Sequence, residues 1–211
     1  MRLLQRRPSG SFSLTPQLQD NKIPPYAILS HTWANDDQEV TFDDILECTG
    51  QGKLGYEKLR FCADQAAKDD LEYFWIDTCA IKKSSDAELT EAINSMYRWY
   101  RDSTKCYVYL SDVSYVDSTW PLTAFERSRW FTRGWTLQEL LAPPVVQFFD
   151  MNGRFLGSKE NLKEKINQIT QISTEALSGI PLSRFSPETL LGWAVGRVTT
   201  RKEDAAYCML G

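Results

Sequence analysis

Residues 127–140, Arg127-Ser128-Arg129-Trp130-Phe131-Thr132-Arg133-Gly134-Trp135-Thr136-Leu137-Gln138-Glu139-Leu140, hold the densest group of charged and stacking side chains in the chain. Trp135 and Glu139 are four apart, so on a helix they share a face, one turn from each other. An indole stacks on a flat heterocycle; a carboxylate beside it holds ribose hydroxyls or stabilises a developing cation. Apolar walls would raise the pKa of such a glutamate. The plainer reading, which a bare Trp-x-x-x-Glu pattern satisfies more often, puts Trp135 in the core and Glu139 on a solvated helix face. The three arginines either hold phosphates through paired N–H donors or offset an acidic surface.

A second group lies at the ends of short apolar runs. Ser30, His31, Thr32 and Trp33 close the first, Asp77, Thr78 and Cys79 the second, Ser111 and Asp112 the third. In an open parallel sheet, ligands bind outside the carboxyl ends of the strands, where strand order reverses. His31, the single histidine, is either a general base with an ordinary pKa near neutrality or a hydrogen-bonded loop residue that fixes the strand exit. The second reading is the simpler. Asp77 is a base, a ribose ligand or a cap on the following turn. Cys79 as a nucleophile needs an activating base, which His31 supplies only if the first two strands are neighbours. A buried, inert thiol is the commoner state of a free cysteine.

These residues need elements to carry them. Residues 1–25 are polar and loop-like, and Pro24-Pro25 blocks a helix. Tyr26–Ser30, Tyr73–Asp77, Cys106–Leu110 and Val145–Phe149 are near-continuous apolar runs, as expected of strands covered on both faces. Arg154–Leu156 is a short fifth. Val40–Phe42 reads as a brief edge strand, followed by a short helix around Asp43–Glu47. Tyr56, Leu59, Ala63, Ala66 and Ala67 recur at spacings of three and four and predict a helix over 56–68. Ser85-x-x-Glu88 has the form of a capping box, opening a helix that buries Leu89, Ile93, Met96, Tyr97 and Tyr100. A polar, aromatic loop runs to about residue 124. Residues 125–142 form one helix, or two half-helices meeting at Gly134, ended by Pro143-Pro144. Strands alternating with helices imply crossovers and a parallel sheet. Helical stretches at 162–169, 175–177, 188–195 and 203–210 make residues 158–211 a helical appendage to an α/β core at 1–157. The stop at Met209-Leu210-Gly211, just after an apolar stretch, reads as a cut rather than a natural terminus.

Composition limits the function classes. The 211 residues suit one domain with an appendage; 42% are hydrophobic and 25% charged, ordinary globular usage that excludes disorder throughout. Seven Trp, nine Tyr and ten Phe promise an aromatic core. No apolar run nears the ~20 residues of a membrane helix, and Met1-Arg2-Leu3-Leu4-Gln5-Arg6-Arg7 lacks the apolar stretch of a signal peptide. The net charge of −4 argues against tight nucleic-acid binding. Five widely spaced cysteines and one histidine make no structural zinc set, so no metal is expected. Free thiols in a reducing, cytoplasmic setting are the simplest account.

The motifs, in order along the chain, resemble a known family. Ile23-Pro24-Pro25-Tyr26-Ala27-Ile28-Leu29-Ser30-His31-Thr32-Trp33 is similar to the opening signature of the fungal heterokaryon incompatibility (HET) domain. Trp75-Ile76-Asp77-Thr78-Cys79, residues 91–100, Trp130–Leu140 and residues 199–204 match further motifs. Met1-Arg2-Leu3-Leu4 resembles members that carry the domain at the N-terminus of NLR-like receptors. The family often has Cys-Cys-Ile-Asp where Cys79-Ala80-Ile81-Lys82 stands, and Gly where Ala34 stands; no catalytic role is expected of Ala80 or Lys82. The resemblance implies an effector of programmed cell death in fungal vegetative incompatibility, clustered through a receptor NACHT or repeat region.

The element order also resembles the TIR domain, a flavodoxin-like fold of five parallel strands in which many members cleave NAD+. Its catalytic glutamate lies on a helix after the third strand, in a Trp-Cys-x-x-Glu-Leu pattern that Trp135-Thr136-Leu137-Gln138-Glu139-Leu140 matches in spacing. By this resemblance NAD+ or a related nucleotide is the substrate and no cofactor is needed. Glu139 is the catalytic residue and Trp135 stacks on the nicotinamide or ribose. Ser30, His31, Trp33 and Asp77 shape the pocket, and Arg133 or Arg129 holds the diphosphate. A non-enzymatic module that recruits a death-executing partner is the alternative.

Overall fold

The chain opens with a hairpin. Strands β1 (Leu4–Arg6) and β2 (Phe12–Leu14) pair antiparallel, Leu4 opposite Leu14, around a loop where Gly10 has φ 82°. The polarity of residues 1–25 predicts loop; Leu3, Leu4 and Phe12 are buried and hold these strands to the sheet. The structure, a computed structural model, describes residues 1–115, 119–199 and 204–208. Next come β3 (Tyr26–His31), α1 (Phe42–Glu47), α2 (Gly55–Lys68), β4 (Tyr73–Trp75), α3 (Asp77–Ala80), α4 (Asp86–Arg101) and β5 (Lys105–Tyr109). They are followed by α5 (Leu122–Glu126), α6 (Thr136–Leu141), β6 (Val146–Phe149) and β7 (Phe155–Ser158). The C-terminal helices are α7 (Lys163–Thr170), α8 (Thr174–Leu177), α9 (Pro187–Ala194) and α10 (Asp204–Tyr207).

The sheet has seven strands in the order β2-β1-β4-β3-β5-β6-β7. Its centre, β4-β3-β5-β6, is parallel, in the order expected for the first four strands of a flavodoxin-like sheet. The α/β class holds, but the parallel core has four strands rather than five. The fifth run becomes β7, antiparallel to β6, because only residues 150–154 join them, and a parallel return needs a crossover of a dozen residues or more.

Side chains alternate along β3 and divide the core. Ala27 and Leu29 pack with Leu59, Cys62 and Ala63 of α2; Ile28 packs with Trp99 and Tyr100 of α4 and Leu137 and Leu140 of α6. Ile166, Ile172, Ala176, Leu177 and Trp193 of the C-terminal segment join the second of these clusters.

Several local expectations need correction. Val40–Phe42 is no strand: Thr41 caps α1, in a reciprocal capping box with Asp44. Ser85 accepts from the Glu88 amide (3.4 Å), yet the Glu88 carboxylate turns to Arg2 (2.7 Å), so half the expected box forms. On α4 the buried positions are Ala92, Ser95, Trp99 and Tyr100, while Leu89, Ile93, Met96 and Tyr97 are half-buried. On α2 Ala67 is exposed and Lys58 buried. Residues 125–142 divide further than expected, into α5, a 3-10 turn at Arg129–Thr132 and α6. Residues 200–203 and 209–211 of the expected C-terminal motif and helix lie outside the described residues.

Gly55 sits where α2 meets the loop before α1. A Cβ there would stand 2.9 Å from the Gln38 carbonyl oxygen and 2.9 Å from the Val40 amide nitrogen. Alanine gains at most about 1 kcal/mol of helix propensity, whereas crowding against fixed backbone costs about 1–3 kcal/mol. Gly55→Ala is expected to lower the denaturant midpoint at unchanged m-value; an unchanged or higher midpoint would show that the loop gives way.

Candidate functional site

β3 delivers Ser30, fully buried, to the α6 side of the sheet. Its Oγ accepts from Trp130 Nε1 (2.7 Å) and donates to Glu139 Oε2. The Tyr100 hydroxyl, which donates to the Leu29 carbonyl (3.0 Å), faces the same carboxyl group. Burial dominates and pushes the Glu139 carboxyl up to about 8. The Asp77 charge adds to that effect, while the Ser30 bond, the Arg133 charge and Tyr100 oppose it. At neutral pH Glu139 is mostly a neutral acid. Its helix is tied at both ends. Buried Lys159, its pKa lowered by burial to about 8, donates to the carbonyls of Leu140 (3.1 Å) and Pro143 (2.9 Å). At the other end Gly134 donates to Val198 O (3.0 Å), and Arg197 to Arg133 O (2.9 Å) and Thr136 Oγ1 (2.9 Å).

His31, the next residue, points to the opposite layer. Its Nδ1 lies 3.1 Å from the buried Lys58 Nζ and its Nε2 3.0 Å from Asp77 Oδ1. An ammonium has only donors, so Nδ1 accepts and Nε2–H donates to Asp77. Both ring nitrogens are engaged, which is the strand-fixing role rather than that of a free base. Lys58 also bonds Thr32 O (3.0 Å) and pairs with Glu39. Asp77 caps no turn; its second oxygen takes the Trp33 indole N–H (2.9 Å). Burial alone would raise the Asp77 pKa, but the His31 hydrogen bond, the Lys83 charge and the Trp33 bond outweigh it and hold it below the ordinary carboxylate range. Cys79 is buried, and burial pushes its thiol up, the inert state.

A cavity of about 620 Å³ lies above Glu139. Trp33, Trp135, His31, Asp77 and Arg133 line it together with Glu139, as does the half-buried Leu89-Ile93-Met96 face of α4. Trp135 is the N-cap of α6, with helical dihedrals (φ −59°, ψ −31°), and its carbonyl accepts from the Glu139 amide (3.3 Å), so the two stand one helical turn apart as expected and both reach the cavity. The Trp135 indole donates to Asp204 (3.0 Å). The Trp33 ring lies beneath Lys83 Nζ (3.8 Å to the centroid) and near the Arg133 guanidinium (5.9 Å). Arg129 is not brought here. It is exposed, beside Asp112, and lines a second cleft of about 690 Å³ that meets the first at Trp33 and Ala34.

Sequence reasoning missed Trp130, Tyr100 and Lys58. Trp130 stood in the run 127–140 without a role of its own, and Tyr100 read as a buried position of its helix. Lys58 had a signal: it lies four residues before Cys62 on a helix whose other inward positions are apolar. Among the described residues no group of three or more His, Cys, Asp or Glu is placed to hold a metal ion, and no helix is long and apolar enough to cross a membrane.

The raised carboxyl predicts a pH signature. A folded pKa of about 8 against an ordinary 4.5 means that Glu139 favours folding when protonated. That contribution is complete below about pH 4.5 and is lost as pH rises through about 8. Glu139→Gln, neutral throughout, is expected to gain stability relative to wild type from pH 5 to pH 9, by a few kcal/mol, roughly. A difference in melting temperature that stays flat over this range would contradict the burial of an ionisable group.

The heterokaryon incompatibility protein (HET) family matches residues 26–119. Over its whole length the chain is 51% identical to the vegetative incompatibility protein HET-E-1 of Podospora anserina, and it spans 16% of that protein. No solved structure matches it. The match covers β3, α3 and α4, which bring Ser30, His31, Asp77 and Tyr100 to the site, and the chain belongs to the heterokaryon incompatibility family.

Proposed function

We propose that this chain is the cell-death effector domain of a heterokaryon incompatibility protein, and that it hydrolyses the N-glycosidic bond of NAD+ when clustered. The observation that carries the enzymatic part is the setting of Glu139, a carboxyl group kept neutral by burial on the floor of a cavity walled by Trp33 and Trp135. A cationic nicotinamide ring against this group supplies the missing counter-charge and brings its pKa down, so binding and ionisation are coupled. The C–N bond breaks with its electron pair leaving on nicotinamide, which departs neutral. The ribose carbon takes on oxocarbenium character, and the Glu139 carboxylate stabilises it. Water adds to that carbon and its proton passes to Glu139. Nicotinamide, ADP-ribose and one proton result.

The relative is far longer than this chain, so we assign clustering to receptor regions outside the domain, such as a NACHT or repeat region. A TIR-like ancestry and a cytoplasmic setting, where the five unpaired cysteines stay reduced, belong to the same reading.

The test is NAD+ loss, followed by chromatography, with the chain fused to an oligomerising tag. Wild type is expected to release nicotinamide, and Glu139→Ala to be slower by about 100-fold or more. The kcat/KM of wild type should rise with pH through about 8, as Glu139 ionises in the free enzyme, and then level off. Equal rates for wild type and Glu139→Ala would sink the assignment.

The second reading, a recruiting module, has one observation in its favour. Leu191, Val195 and Val198 expose apolar surface around the end of α9, Val195 to 81%. Cell killing by Glu139→Ala at wild-type strength, abolished by Val195→Asp, is the outcome that reading expects.

A further inference from the structure

The two clefts that meet at Trp33 differ in charge. The first is acidic even with Glu139 neutral: Asp36, Glu39, Asp43, Asp77 and Asp204 line it against Lys82, Lys83 and Arg133. The second is basic, with Arg60, Lys68 and Arg129 against Glu57 and Asp64, while the buried Lys58 at its edge is paired with Glu39. In a chain of net charge −4 this local reversal is set by the fold. α2 presents its cations along one wall, and the 3-10 turn before α6 presents Arg129 on the other. The basic cleft also sits at the topological switch. β3 leads to α2 on one face and β5 leads towards α6 on the other. The strand ends are bridged by Thr32 Oγ1 and Ser111 Oγ, 3.2 Å apart, two hydroxyls that can turn to an oxygen-rich ligand. An open α/β sheet receives its ligand at this crevice.

The charge distribution points to a divided site: the basic cleft binds the diphosphate and adenosine half of a dinucleotide, with the diphosphate at Arg129 beside the strand ends and the adenosine half running along α2 towards Lys68 at its far end, while the cationic half enters the acidic cavity. The inference rests on the NAD+ reading for the cationic half alone. A dinucleotide with one cationic ring and two phosphates matches this pairing of fields, whereas phosphates beside the carboxyl groups of the first cavity meet like charge. Trp33 is the partition. Asp77 holds its indole N–H, and Lys83 covers its ring on the acidic side, so it is a fixed wall around which a ligand must bend. Arg133, on the same side as Glu139, takes no phosphate in this arrangement. Arg129 does, although sequence reading alone could not choose between them.

The test measures ADP binding to the whole chain by calorimetry. ADP carries the diphosphate and adenosine without the cation. Wild type and Glu139→Gln should bind it equally, and Arg129→Ala/Lys68→Ala about tenfold or more weakly. Both replaced residues are exposed, so the double variant should keep the wild-type melting temperature. Nicotinamide riboside, cationic and without phosphate, should bind the double variant as it binds wild type. ADP binding that is absent from wild type, unchanged in the double variant or lost in Glu139→Gln overturns the inference. ADP binding that depends on Arg129 and Lys68, in a clustered protein that leaves NAD+ intact, upholds the basic cleft and removes the glycosidic reading instead.

Discussion

The alternation of side chains at the end of β3 is the constraint on which the site depends. Consecutive strand residues face opposite layers, so Ser30 and His31 diverge at the point where the sheet stops. Ser30 enters the layer of α4 and α6, where Trp130 and Glu139 meet it. His31 enters the layer of α2 and α3, where Lys58 and Asp77 grip both its nitrogens. A slip of one residue would exchange them, placing a hydroxyl before the lysine and an imidazole against the carboxyl group. The parallel pairing of β3 with both β4 and β5 fixes the register.

From this follows a division of labour between the two acids. Asp77 receives two N–H donors and the nearby Lys83 charge, so it stays ionised and acts as structural cement for Trp33 and His31. Glu139 receives a hydroxyl among apolar neighbours, so its charge is unsupported until something cationic arrives. The same functional group takes opposite roles because one is surrounded by donors and the other by hydrocarbon.

Much of this was legible in the sequence. The four parallel strands appear as apolar runs; of the residues that close them, His31, Trp33 and Asp77 line the cavity, whereas Ser30 is fully buried behind it, bonded to Glu139. Glu139 and Trp135 were legible as a pair: four apart, they stand one helical turn from each other, and both reach the cavity. The edge strands β1 and β2 were hidden because strands of three residues bury too few side chains to leave a periodic signal. The placement of Arg129 was hidden because a 3-10 turn, with three residues per turn, interrupts the helical phase and swings it to the other cleft. Lys58 shows the converse: helical phase placed it correctly inside, but its type argued for the surface. The partners Glu39, His31 and the Thr32 carbonyl, all distant in sequence, make the position tolerable.

The segment after α9 adds a mechanical property. Val198 donates to Thr132 (2.7 Å) and accepts from Gly134, Asp204 holds the Trp135 indole, and Gln138 donates to the Tyr207 carbonyl (2.9 Å). A Cβ on Gly134 would lie 2.4 Å from a Thr199 methyl, so segment and turn touch without slack. These bonds span the first turn of α6 like stitches along a seam. Val198, Asp204 and Tyr207 are thereby tied to the backbone that carries Glu139, so a substitution in either described stretch bears on the placement of that carboxyl group.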